Sequence, residues 1–309
     1  MKILVTGGAG FIGSHVVDTF IEAGHDVAVV DNLWERGGGK VEHIHPQARF
    51  YQVDIRDKAL AEVFEKEQPQ VICHHAAQHS VKISVDDPVH DAQVNILGLI
   101  NLLSCATRFK AQKILFASSG ATYGNVEKMP VREDTPQRPV SPYGITKMAT
   151  EHYLRVWKDL YGLDYTFFRY GNVYGPRQDP TGEAGVIAIF AHAILQENPV
   201  RIDWDGEQQK DYVYVTDIAR ANLMALERGS GEAFCIASEQ GTSVNALYRG
   251  LADIIGHEVE IIHAPQRAGD IYLTYFDCSK ARQQLGWQAQ VSMPEGLRLT
   301  VDYFRSHGG

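Results

Sequence analysis

Short β-branched runs alternating with helical stretches predict an α/β protein: a doubly wound parallel sheet followed by a smaller, mixed α/β C-terminal lobe. Three observations carry this. KILVT (2–6) runs straight into the glycine turn GGAGFIG (7–13). Further strand-like runs then recur with helical patterns between most of them. After Asn172 the rhythm breaks, and glycine, proline and charge cluster in GPRQDPTGEAG (175–185).

The elements follow in order. From Ser14, the apolar residues Val16, Val17, Phe20 and Ile21 recur at helical spacing up to Gly24. DVAVVD (26–31) reads as the second strand, and RFYQVD (49–54), QVICHHAA (70–77), KILFASS (113–119), DYTFFRYGN (164–172) and FCIAS (234–238) as later ones. Helices are expected at 57–67, 91–109, 143–161 and 216–228. Parallel strands joined by right-handed crossovers give a sheet covered on both faces. Residues 1–172 therefore form the first domain, with 211–228 returning to it, and 173–309 form the second lobe across a cleft.

The chain has 309 residues and a formal net charge of −9, with no block of Lys or Arg. That balance argues against nucleic acid or an anionic membrane as the main partner. An anionic ligand must be held by a few placed cations and helix N-termini. Cys73, Cys105, Cys235 and Cys278 are widely spaced and lack zinc-site patterns, so thiols in a reducing compartment are expected and no metal. Residues 1–5 lead directly into a strand, and no apolar run reaches bilayer length. A cytoplasmic protein is expected.

Gly7, Gly10 and Gly13 sit between the first strand and the first helix. Glycines there let the backbone turn tightly and approach a pyrophosphate, while the helix N-terminus offers unpaired N–H groups and partial positive charge. This predicts a Rossmann-type dinucleotide site. Asp31 ends the second strand, where a carboxylate accepts hydrogen bonds from the adenosine ribose and repels a 2′-phosphate, so NAD is favoured over NADP. Arg36 and Lys40, in the following loop, would tolerate that phosphate. Asp54 and Ile55 close the third strand and could cap the adenine site.

Tyr143 and Lys147 (YGITK) share a helix face at i and i+4. A nearby ammonium favours the ionised phenol, which makes a general base. Ser118 and Ser119 lie at the carboxyl edge of the sheet, where doubly wound folds bind ligands; a hydroxyl there can relay a substrate proton to the tyrosine. No GxSxG elbow surrounds either serine, which excludes the common serine-hydrolase arrangement. His74 and His75 are adjacent strand residues, so they face opposite ways and are poorly placed to chelate. The remaining histidines read as surface and turn residues.

Together these residues resemble the extended short-chain dehydrogenase/reductase family, and within it the UDP-glucose 4-epimerases and related UDP-sugar epimerases. The matching motifs are TGGAGFIG (6–13), HHAAQHSV (74–81), DAQVNILGLINLL (91–103), SSGATYG (118–124), YGITK (143–147), RYGNVYGPRQ (169–178), GVIAIF (185–190), DGEQQKDYVYVTDIA (205–219), RAGD (267–270) and DCSKARQQLGW (277–287). The resemblance implies Tyr143 as base, Lys147 lowering its pKa and holding the nicotinamide ribose, and Ser119 completing the triad. It implies an NAD site lined by Gly7, Gly10, Phe11, Ile12, Gly13, Asp31, Asn32, Asp54, Ile55, Ala76, Ala77, Gln78 and Asn95, besides Tyr143 and Lys147. The UDP-sugar would be held by Ser119, Asn172, Val186, Arg201, Lys210, Arg267 and Asp270, with Arg267 as diphosphate clamp. Two departures stand out: Lys210 where many relatives carry Arg, and Asp203-Trp204 where a Tyr-Gly pair is usual.

The implied reaction is transient oxidation at the sugar C4′, rotation of the 4-keto sugar, and reduction from its other face, with NAD retained throughout. Rivals in the family are a 4-keto sugar reductase, a UDP-glucuronate 4-epimerase and a dehydratase. Gly120 and Ala121 stand where dehydratases carry an Asp-Glu pair, which disfavours elimination. A non-catalytic NAD-binding sensor would not need the Tyr/Lys pair. Thr274 falls near the position that gates the sugar pocket by bulk; a small residue there would admit UDP-GlcNAc and UDP-GalNAc. Relatives commonly form homodimers through two helices per subunit, here 91–109 and 143–161.

Overall fold

The computed structural model describes residues 1–181, 185–266 and 272–307. Strands β1 (Lys2–Thr6), β2 (Asp26–Asp31), β3 (Arg49–Gln52), β4 (Val71–His74), β5 (Lys113–Ser119) and β6 (Asp164–Tyr170) are followed by β7 (Asn172–Tyr174), β8 (Val200–Asp203), β9 (Gln209–Tyr214), β10 (Glu232–Ile236), β11 (Gly241–Ser243) and β12 (Ile261–Ala264). The main sheet is parallel throughout, in the order β10-β6-β5-β4-β1-β2-β3. The order runs outward in both directions from the β1/β4 boundary, and a crevice opens there at the carboxyl ends of the strands. The inner strands are apolar on both faces, as a doubly covered parallel sheet requires: Ile3, Leu4 and Val5 of β1 are all buried.

Helices α1 (Phe11–Glu22), α2 (Leu60–Glu67), α3 (Val81–Asp86), α4 (Pro88–Ala92), α5 (Gly98–Arg108), α6 (Pro142–Tyr161), α7 (Val186–Leu195), α8 (Val215–Met224), α9 (Val244–Ile255) and α10 (Met293–His307) surround the sheets. One face of the main sheet packs against Val16, Val17 and Phe20 of α1 and Ile218 and Ala221 of α8. The other packs against Leu60 and Phe64 of α2, Leu99 and Leu102 of α5 and Leu154 of α6. A third core, built from Ile187, Phe190, Leu247, Leu251, Val301 and Phe304, joins α7, α9 and α10 in the smaller lobe. That lobe carries a three-stranded sheet, β11-β9-β7, and the pair β12-β8. Among the described residues no helix is long and apolar enough to cross a membrane.

The structure revises several expected elements. Residues 91–108 are helical as expected but not uniformly so: α4 ends at Ala92, a π-turn occupies Gln93–Leu97, and α5 continues from Gly98. The run 164–172 splits, because β6 ends at Tyr170 and β7 joins the small sheet. Residues 211–214 pair with β7 and β11 rather than with the main sheet. The last strand of the main sheet, β10, comes from beyond residue 172. The four cysteines are free and buried. Two histidines expected on the surface are not: His43 is buried and donates to Ala9 O (3.2 Å), and His15 donates to Pro176 O (3.0 Å).

Candidate active site

The glycine turn folds as it does because side chains would collide. Gly7 adopts φ +71°, and a Cβ there would stand 2.5 Å from Ala76 N. A Cβ at Gly13 would lie 2.1 Å from Gly7 O, so this glycine lets α1 pack against the turn. A Cβ at Gly10 would meet only Gly7 O, at 3.3 Å. Gly10 caps α1 without a side-chain bond, and the first turn of α1 contains no acidic residue. The N–H groups of this turn are therefore available to an anion.

Asp31 leaves β2 with its carboxylate fixed by Ala9 N–H (3.0 Å) and Leu33 N–H (2.9 Å). Burial pushes its pKa up, opposed by those two bonds. Each oxygen accepts one of these bonds, and the residue lines the cavity. Nearby, Asn32 donates to Asp54 (2.8 Å), which Arg56 also grips at 2.7 and 2.9 Å. Burial alone would raise the Asp54 pKa, but the Arg56 and Asn32 bonds hold it at about 2.

A cavity of about 910 Å³ extends from this turn across the sheet edge. Its walls include Gly7, Gly10, Phe11, Ile12, Gly13, Asp31, Asn32, Asp54, Ile55, Ala76, Ala77, Gln78, Tyr143 and Lys147, all named from sequence. The open cradle at Gly10, the unpaired helix N-terminus and the carboxylate of Asp31 fit a dinucleotide. Asn95 is not in the wall. Its side chain is buried in the π-turn, accepting from Gln78 N–H (2.9 Å) and donating to Gln78 O (2.9 Å), so it shapes the loop that lines the cavity. Sequence reasoning missed other wall residues: Trp34, Arg56, His90, Tyr170 and Gln178, with Arg177 tied to Asp18 at 2.7 Å. The break in rhythm at 175–185 was the available signal for Arg177 and Gln178, because loops at a sheet edge carry ligand contacts.

At the far end α6 begins at Pro142, capped by Ser141, whose Oγ accepts from Gly144 N–H (3.1 Å). This places Tyr143 and Lys147 on the cavity side. The Lys147 ammonium lies 5.7 Å from the Tyr143 ring centroid and donates to Ala117 O at 2.8 Å. Burial pulls the Lys147 pKa down to about 8. The Tyr143 pKa is pushed up to about 12 by burial, opposed by a hydrogen bond with Ser119. The expected depression of the phenol pKa is thus not found in the protein alone: burial, reinforced by the charge of Asp91, outweighs the Ser119 bond. The two serines divide their roles. Ser118 lines the cavity but donates to buried Glu151 (2.7 Å), which also pairs with Arg169. Ser119, outside the wall, accepts from Ala121 N–H (3.1 Å) and meets Tyr143.

His74 and His75 diverge. His74 bonds Thr6 (2.7 Å) and stacks on Phe116, whereas His75 stacks on Tyr170. Among the described residues no group of three or more His, Cys, Asp or Glu side chains could hold a metal ion. Asn172 is exposed on β7, and Val186 is the half-buried first residue of α7. Arg201, on β8, is exposed and paired with Asp203 at 2.7 Å. Lys210 is half-buried on β9, and Thr274 donates its N–H to the neighbouring Gln209 O (3.0 Å). None of these five lines the cavity. Arg267 and Asp270 lie outside the described residues.

The family model of GDP-mannose 4,6 dehydratase matches residues 4–300. A Thermotoga maritima UDP-glucose 4-epimerase, solved with UDP-glucose, is 48% identical, with a TM-score of 0.97 over the whole of both chains. A UDP-glucose 4-epimerase of Thermus thermophilus, solved with NAD, is 43% identical, with a TM-score of 0.94 over 99% of each chain. The UDP-glucose 4-epimerase of Mycolicibacterium smegmatis is 41% identical over 99% of both sequences. With its sheet order, glycine turn and Tyr-x-x-x-Lys helix, the chain belongs to the GDP-mannose 4,6 dehydratase family of extended short-chain dehydrogenases/reductases, among its UDP-glucose 4-epimerase-like members.

Proposed function

We propose that the chain is an NAD-dependent UDP-sugar 4-epimerase interconverting UDP-glucose and UDP-galactose. The observation that carries this reading is the juxtaposition of Tyr143, Lys147 and Ser119 at one end of a dinucleotide-sized cavity. In its ionised form the Tyr143 phenolate takes the proton of the sugar 4′-OH, with Ser119 as hydrogen-bonding relay, and so becomes the phenol. Lys147, anchored on Ala117 O, holds its charge beside the ring and orients the ribose. NAD, when bound, supplies the hydride acceptor and donor and a positive charge beside the phenol. After the keto sugar has turned about its diphosphate link, Tyr143 returns the proton on the opposite face. Grip on the nucleotide, not the sugar, must therefore dominate binding.

Elimination chemistry is disfavoured by the turn after Ser119. A Cβ at Gly120 would stand 2.6 Å from the Phe276 ring, so no carboxylate fits there, and Ala121 exchanges no proton. In the same reading, residues 1–172 with the helix of 211–228 hold NAD. The rest, including Val186, Arg201, Lys210, Arg267 and Asp270, holds the UDP-sugar together with Asn172 at the domain boundary. The enzyme works in the cytoplasm, where free thiols persist, as a homodimer. Val156, Leu160 and Tyr161 of α6 and Leu97 before α5 are large apolar side chains left exposed, which supports pairing through these helices.

The test is conversion of UDP-galactose by purified protein without added reductant, alongside Tyr143→Phe. The parent is expected to turn over with its own bound NAD, and the variant to lose roughly 10²–10⁴-fold in kcat while keeping its cofactor. Equal rates in a folded, NAD-loaded variant would refute the assignment.

A further inference from the structure

A buried carboxylate behind the Tyr/Lys pair has no part in the mechanism above. Asp91 is fully buried on α4 and receives three side-chain hydrogen bonds. Gln78 Nε2 donates to its Oδ1 at 2.8 Å, Asn95 Nδ2 to the same oxygen at 3.0 Å, and Thr146 Oγ1 to its Oδ2 at 2.9 Å. Those donors come from three places that frame the site: the cavity-lining loop after β4, the π-turn, and the helical residue adjacent to Lys147. Gln78 and Asn95 are locked together in turn through both backbone groups of Gln78. Burial of an ionised carboxylate requires such compensation.

We infer that Asp91 is a positioning residue for the epimerase reaction: it straps α6 to the cofactor loop and acts as the fixed counter-charge of Lys147. The charged and titratable groups around Lys147 are few. His74 and His75 lie within its field at and just after the end of β4, with Tyr143 on its own helix and Asp91 on α4. Phe116 covers it with an uncharged ring, 4.8 Å away. Both histidines are held neutral by burial, so Asp91 supplies the opposing charge in this set. Its field favours the ammonium of Lys147 and opposes ionisation of Tyr143. The inference rests on the assignment of Tyr143 and Lys147 as the acid–base pair.

The geometry offers a clean substitution. In Asp91→Asn the side-chain oxygen would still accept from Gln78 and Asn95. The amide would donate to Thr146, whose hydroxyl would turn to Tyr143 O, already 3.0 Å away. Charge is lost while the strap is kept. Measured with NAD-loaded enzyme and UDP-galactose, both limbs of the kcat/KM pH profile are expected to move to lower pH by about one unit. A variant with reduced kcat but unmoved limbs would show that Asp91 is only structural and overturn the counter-charge. Thr146→Val keeps the charge and cuts the strap. It should lower kcat several-fold at unchanged KM and with unmoved limbs; if Asp91→Asn fails to fold, the smaller neutral variant Asp91→Ser carries the limb measurement. A raised KM with parental kcat would overturn the strap. Tyr143→Phe, run alongside, separates the two ideas: undiminished turnover there sinks the acid–base assignment, whereas the Asp91 and Thr146 outcomes sink only this inference.

Discussion

At the scale of single residues, two glycines of one turn should fail in different ways. Gly13→Ala drives a methyl into Gly7 O, and overpacking of this kind costs about 1–3 kcal/mol. Gly10→Ala meets only Gly7 O, at 3.3 Å, a far milder contact than at Gly13, but intrudes on the cradle. We expect Gly10→Ala to unfold at close to the parental urea midpoint while its NAD affinity falls at least several-fold. Gly13→Ala should lose stability first. A Gly10→Ala protein with parental NAD affinity would show that the pyrophosphate does not lie there. These glycines were legible in the sequence because their spacing reports a backbone need, and Asp31 because it closes a strand. Asp91 and Thr146 were not, since each has meaning only once Gln78 and Asn95 are folded against them. The rise of the Tyr143 pKa was hidden for a similar reason: desolvation depends on what surrounds a group, and local spacing shows only the neighbouring charge.

At the scale of elements, apolar periodicity located the strands of the main sheet and the long helix α6. Ends and interruptions escaped it. The π-turn at Gln93–Leu97 inserts one residue into an otherwise continuous helical pattern, and the residue it turns inward is Asn95. Single extra residues in helices often mark functional sites, yet they scarcely alter a hydrophobic pattern. The smaller lobe was the least legible part, because α7, α9 and α10 bury their faces on one another rather than on a sheet with its own clear period. The exposed face of α6 carries its own test. Val156 and Leu160 are 47% and 66% exposed. If the proposed dimer pairs through this face, changing both to Glu should leave a folded protein that sediments as a monomer where the parent sediments as a dimer. A parental sedimentation coefficient in the double variant would place the interface elsewhere.

At the scale of the whole molecule, acid stability should be set by imidazoles. Burial holds His15 at a pKa of about 4 and His74 and His75 at about 3. The unfolded chain protonates these groups near pH 6.5, before the folded one does. Stability contributed by their neutral forms is therefore lost as pH falls below about 6.5, at about 1.4 kcal/mol per unit for each. Asp211 works in the opposite sense. Burial raises it to about 6, so the folded chain takes up its proton first. Three against one leaves a net loss of about 3 kcal/mol per unit between pH 6 and 4, to which the lowered His43 adds and which the raised Asp31 opposes. Urea midpoints should drop over that range, and a flat profile would refute the neutral assignment.

The placement of β10 has a consequence for how the chain can be divided. It forms the outer edge of the main sheet, beside β6, after the polypeptide has already left to build β7, β8 and β9. The backbone thus weaves across the crevice more than once, and no single cut yields two pieces each holding all its own strands. A protease nick at 175–181 should leave halves that stay associated, and neither segment expressed alone would complete the edge that the other closes.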